Sequence, residues 1–124
     1  MSISEEVIKP KTDDLALRII KLYKVLVNER KEFVLSKQLL RSGTSIGANV
    51  TEGQYAISRA EFRSKNSIAL KEAVESEYWI NLLFKSEYIN QKEYDSLMPD
   101  LKPIIKILIS IVKNTGEQQK PDDK

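Results

Sequence analysis

Apolar residues recur along most of this chain at intervals of three and four, the spacing that gathers side chains on one face of an α-helix. Leu15, Ile19, Tyr23 and Leu26 step by four, four and three. They predict a first helix over residues 13–28, with Thr12 as its cap and Asp13 and Asp14 at the positive end of its dipole. After a polar break, Leu35, Leu39, Gly43, Ile46, Val50, Gly53 and Ile57 form a second seam, predicting a helix over residues 34–57. Gly43, Ile46 and Gly47 would let another helix approach closely. Each glycine costs about 1 kcal/mol relative to alanine inside a helix, so a break near Gly43 is the competing reading.

The third helix is announced by a capping box, Ser58 with Glu61 three residues on, and extends to about Glu87. It is expected to be the longest. Ala69, Ala73, Ser76, Ile80 and Leu83 make one stripe; Leu70, Val74, Tyr78 and Leu82 make a second beside it. Together they are wider than one buried face. A second capping box, Asn90 with Glu93, opens the fourth helix. Its β-branched stretch from Ile104 to Val112 has the composition of a strand. However, Lys102, Lys106, Ser110 and Lys113 step by four, four and three, which only a helix places on one stripe. Pro99 and Pro103 predict a kink or interruption between Ser96 and Pro103. Short connections make successive helices antiparallel neighbours. The expected fold is therefore all-α, an up-and-down four-helix bundle over residues 12–114, with an N-terminal extension (1–11) and a polar tail (115–124).

Composition removes most catalytic chemistry. The 124 residues contain neither Cys nor His, which excludes disulfides, thiolate metal sites, imidazole bases and His-ligated metals. No phosphate loop, dinucleotide fingerprint or nucleophile elbow is present. Glu52, Glu72 and Glu75 lack the Glu-x-x-His partners that bundle di-metal sites use. The expectation is a protein that is not an enzyme and takes no metal or cofactor. The N-terminus lacks a secretory pattern and no stretch is apolar enough to span a membrane, so a cytoplasmic location is expected.

Charge is balanced overall, at +2, but unevenly spread. Residues 9–31 carry a net +4, residues 59–71 a net +3 and residues 72–93 a net −3. This permits head-to-tail contacts between copies, or one basic face for an anionic partner. Arg18, Lys21 and Lys24 on the first helix and Arg59, Arg63 and Lys65 on the third are the candidates for RNA or DNA phosphates. The competing reading, which the sequence favours, is surface solubility and salt bridges. A polar stripe of Gln38, Ser42, Ser45, Asn49 and Glu52 runs along the second helix, either solvated or forming a partly buried network to neighbouring helices or another subunit.

The segment from Leu40 to Gly53 (LRSGTSIGANVTEG) resembles the signature of the four-helix-bundle family encoded by intervening sequences in 23S rRNA genes. Residues 64–79 (SKNSIALKEAVESEYW) and 88–94 (YINQKEY) are similar to further blocks of that family. Ser45, Asn49, Glu52 and Gly53 occupy the positions that define its second helix. The resemblance implies a bundle that assembles into a ring-like homopentamer, with relatives among the accessory variability proteins of diversity-generating retroelements, and it carries over no catalytic residue. It implies an assembly or scaffold module linked to ribonucleoprotein or rRNA-gene intervening sequences; nucleic-acid binding by a basic face of the oligomer is the alternative. Self-association has support in the sequence too. Helix three offers two apolar stripes where one core needs one, and Tyr78, Trp79, Leu82 and Phe84 are the candidate interface residues.

Overall fold

The computed structural model describes residues 2–118. They form α1 (Ile3–Asn28), α2 (Leu35–Gln54), α3 (Arg59–Lys85) and α4 (Gln91–Gln118), with no strand among the described residues. Each helix packs on its neighbours in the chain and α4 closes on α1, giving the up-and-down bundle that short connections dictate.

The periodic seams are the core. Leu15, Ile19 and Leu26 of α1, Leu39, Ile46 and Val50 of α2, and Ala69, Ala73, Ile80 and Leu83 of α3 are almost wholly buried. Leu101, Ile104, Leu108 and Ile111 complete it from α4. Ala69 and Ala73 present no bulk at the contact, and α2 and α3 are the most closely packed pair.

Helix α2 is unbroken through its glycines, so the competing break near Gly43 does not occur. The glycines sit where side chains of the neighbouring helices press against α2. A Cβ on Gly43 would collide with Ile19 Cδ1 and lie 3.2 Å from Ile19 Cγ2; one on Gly47 would lie 3.3 Å from Thr12 Oγ1. Gly53 plays the same part toward α3, within 3.2 Å of Asn66 Nδ2 and 3.3 Å of Lys65 Cβ.

Several boundaries differ from the sequence expectation. Helix α1 starts at Ile3, so most of the stretch read as an extension belongs to the bundle, and Ile8 within it is buried. Ser2 is the cap, its Oγ accepting from Glu5 N at 3.1 Å. Thr12 is instead buried inside the helix, its hydroxyl donating to Lys9 O. Helix α2 ends at Gln54, which leaves Ile57 in the turn and exposed. At 28 residues α4 is one longer than α3, because it continues past residue 114 and buries Thr115. Of the predicted tail, residues 119–124 lie outside the described residues.

The prolines do not interrupt their helices: Pro10 lies inside α1, and Pro99 and Pro103 inside α4, which runs on from Ser96 through Pro103 without the expected interruption. Each proline removes the bond to the carbonyl four residues earlier. Those carbonyls belong to Glu6, Asp95 and Pro99, all exposed residues. Arg18 of α1 adds protein donors at the same place. It donates to Ser96 O at 2.9 Å, to Ser96 Oγ at 2.8 Å and to Asp100 Oδ2 at 2.6 Å.

At the end carrying the α1–α2 and α3–α4 connections, three side chains fix the geometry. Glu32, read only as part of a polar break, is 7% exposed and caps α2. Its carboxylate accepts from the backbone N–H of Val34 (3.1 Å), Leu35 (2.8 Å) and Ser36 (2.6 Å). Burial alone pushes this carboxyl up, but the three N–H donors outweigh it and hold it below its ordinary value. Glu93 closes its capping box with Asn90, then receives both Nη atoms of Arg30 at 2.9 and 2.6 Å; Arg30 also donates to Tyr88 O at 2.7 Å. The Arg30 guanidinium, ahead of the opposing burial, holds Glu93 below the usual carboxylate range. Lys31 and Glu87 turn the chain with φ of 58° and 69°. After α3 this makes a left-handed cap in which Glu87 N bonds Phe84 O and Tyr88 N bonds Leu83 O.

Two predictions follow from these contacts. Gly43→Ala adds about 1 kcal/mol of helix propensity but overpacks the Ile19 contact, which costs about 1–3 kcal/mol. Urea unfolding is expected to show net destabilisation, and Ile19→Val, which removes the colliding methyl, is expected to recover part of it. Glu32→Gln is expected to lower stability by about 1 kcal/mol at neutral pH, the scale of a lost cap. Because the folded-state pKa of Glu32 is depressed, its contribution is present above the ordinary carboxylate value, near 4.5, and lost as pH falls through the folded value. Wild type and variant are therefore expected to converge in acid; a gap independent of pH would contradict this role.

Candidate self-association surface and basic residues

The second stripe of α3 ends up on the outside of the bundle. Val74 is 50% exposed and Tyr78 55%, with Ile68 at the edge of exposure and Leu70 half-buried. With Lys71, Glu72, Glu75 and Trp79 they line an open groove of about 650 Å³. Tyr78 meets Trp79 edge-on, ring centroids 5.0 Å apart. Trp79 is half-buried, but its indole Nε1 is fully covered and has no hydrogen-bond acceptor among the described residues. Two turns earlier, Glu72 Oε1 is covered and unbonded in the same way. Buried polar groups are nearly always paired, and leaving one unpaired costs about 1–3 kcal/mol. Two such atoms therefore share one groove, a donor and an acceptor.

Charge around the groove is only partly balanced. Arg41 of α2 places Nη2 3.1 Å from both oxygens of Glu75 and Nη1 3.7 Å from Glu72 Oε1, the latter too long for a hydrogen bond. Burial first, and then the neighbouring Glu75, pushes the Glu72 carboxyl up against the opposing pull of Arg41.

The four residues expected at an interface divide. Tyr78 and Trp79 line the groove. Leu82 is half-buried, and Phe84 is held inside the protomer, stacked on Tyr94 of α4 at 4.5 Å. The neighbouring Asn81 Oδ1 accepts from Tyr94 Oη. The stripe on α3 pointed to Val74 as well as Tyr78, and the exposure of both follows from its width.

The six cations expected to meet phosphate are not gathered on one face. Arg18 is occupied by Ser96 and Asp100 of α4. Arg59 lies 3.6 Å from Glu5 of α1 and over the Phe62 ring. Arg63 donates to Val112 O near the end of α4 and covers Gly116. Lys65 pairs with Glu52 of α2 at 2.8 Å. Lys21 and Lys24 are exposed on α1, with no carboxylate in ion-pair range among the described residues.

The polar stripe of α2 also splits. Ser42 is buried and shares a 2.8 Å hydrogen bond with the hydroxyl of Ser76 of α3 across the core. Glu52 reaches α3 through Lys65 at the surface. Ser45 and Asn49 stay local, donating to Arg41 O and Ser45 O one turn back. Among the described residues, no cluster of carboxylates is arranged to hold a metal ion, and no helix is long and apolar enough to cross a membrane.

No curated protein matches the chain. A crystal structure described as a protein of unknown function from the S23 ribosomal protein family of Bacteroides thetaiotaomicron is 56% identical to it. That likeness covers 90% of this chain and 99% of the other, with a TM-score of 0.87. The sequence also matches the family described as 23S rRNA-intervening sequence protein over residues 5–110. With nearly the whole bundle inside that match, the chain belongs to the 23S rRNA-intervening sequence protein family.

Proposed function

We propose that this protein is a non-enzymatic assembly module that self-associates through the outer face of α3, as a cytoplasmic scaffold linked to ribonucleoprotein or to the rRNA-gene intervening sequences of its family. The observation that carries the reading is the apolar groove on α3, lined by Leu70 and Trp79 and rimmed by exposed Val74 and Tyr78. A second copy seated there removes that apolar surface from water. Bulky aromatics of this kind anchor interfaces. The family resemblance sets the expected number of copies at five, arranged in a ring.

A phosphate-binding face is the alternative role. It has less to draw on, because Arg18, Arg59, Arg63 and Lys65 already have partners within the protomer. Charge on the α3 face distinguishes the two. Val74→Glu with Tyr78→Glu is expected to convert an oligomer to a monomer in sedimentation equilibrium at micromolar concentration, with the helical circular dichroism unchanged, since both side chains are exposed. A wild-type protein that sediments as a monomer, or a doubly substituted one that keeps its oligomeric mass, would overturn the proposal.

A further inference from the structure

The seam between α1 and α4 is the least closely packed of the four, and it opens into a groove of about 410 Å³, within the size range of small-molecule sites. Its floor is apolar: Leu22 and Val25 from α1, Ile89 and Leu97 from the start of α4 and the turn before it. Its rim is cationic: Arg18 and Lys21 from α1 and Lys92 from α4.

The acids nearby do not neutralise that rim. Glu93, on the groove wall, is taken by both Nη atoms of Arg30. Asp100 is taken by Arg18, whose guanidinium is thereby fixed to the wall with Ser96. Lys21 and Lys92 are exposed, and no carboxylate lies within ion-pair distance of either among the described residues. Two ammonium groups without an ion-pair partner thus border an apolar groove, one from each helix.

We propose that this groove binds an amphipathic carboxylate carrying a single aliphatic chain. The head group sits between Lys21 and Lys92, and the chain lies along Leu22, Val25, Ile89 and Leu97. A bare anion would leave the apolar floor wet. A nucleic-acid base would find no aromatic side chain to stack on, since none lines the groove. A cationic amphiphile would meet like charge on both banks. No residue lines both this groove and the one on α3, so the inference does not rest on self-association.

Decanoate is a suitable probe, with decanol and decyltrimethylammonium as controls of matched chain length, followed by methyl-resolved NMR. Saturable shifts are expected at the methyls of Leu22, Val25, Ile89 and Leu97. Affinity is expected to fall about tenfold for decanol and for the Lys21→Gln/Lys92→Gln protein, the scale of two partly exposed charge pairs. The cationic probe is expected to leave these methyls unmoved. Both lysines are exposed, so the variant is expected to keep its helical circular dichroism. Absence of saturable shifts, shifts centred elsewhere, or equal affinity in the variant or for decanol would overturn the proposal.

Discussion

The arrangement depends on how closely α2 approaches its neighbours, and that distance is set by missing side chains. Gly43 meets Ile19, Gly47 meets Thr12, and Gly53 meets Asn66 and Lys65. Three glycines in a helix of 20 residues forfeit helix propensity of about 1 kcal/mol each. What they gain is dense contact along both flanks of α2, where Ile46 and Val50 are buried almost completely. In the family signature Gly53 therefore serves contact with α3. Its neighbour Glu52 reaches the same helix through Lys65, while Ser45 and Asn49 bind back to their own helix.

At the opposite end from Gly53 the chain relies on charge. Glu32 supplies to α2 the negative charge that a helix N-terminus favours, and Arg30, one turn away, locks Glu93 at the start of α4. The two connections at that end are thereby joined through the residues that follow α1. Arg18 makes a second crossing to α4, near the carbonyls that Pro99 disturbs. Contacts between α1 and α4 are thus concentrated in two arginine clamps, and the groove opens between them because direct packing there is thin.

Much of this was legible in the sequence, for a definite reason. Spacings of three and four identified the four seams, and both capping boxes formed as read, with Ser58 on Glu61 and Asn90 on Glu93. What periodicity could not show was where helices stop without a glycine: Lys31 and Glu87 take the left-handed conformation, and nothing in their residue type announces it. Glu32 was hidden because a capping carboxylate outside the helix looks like any surface acid. Thr12 followed by Asp13 and Asp14 imitated a helix start, and only Ser2 and the burial of Ile8 reveal the true one. The basic residues misled in another way. Sequence counts charges, whereas Arg18 and Arg63 spend theirs on α4 carbonyls 78 and 49 residues away.

Trp79 has one more consequence. It is the chain's single tryptophan. Its ring lies at the boundary between core and outer face, with the indole N–H covered and the adjacent Tyr78 ring edge-on. Excited beyond the tyrosine absorption band, the emission of the whole molecule therefore comes from one indole, placed on the face that distinguishes a protomer's inside from its outside. Water entry, a new hydrogen bond or a change in the charge of Glu72 would each alter that emission with no second tryptophan to mask it. The molecule carries its own optical probe of that surface.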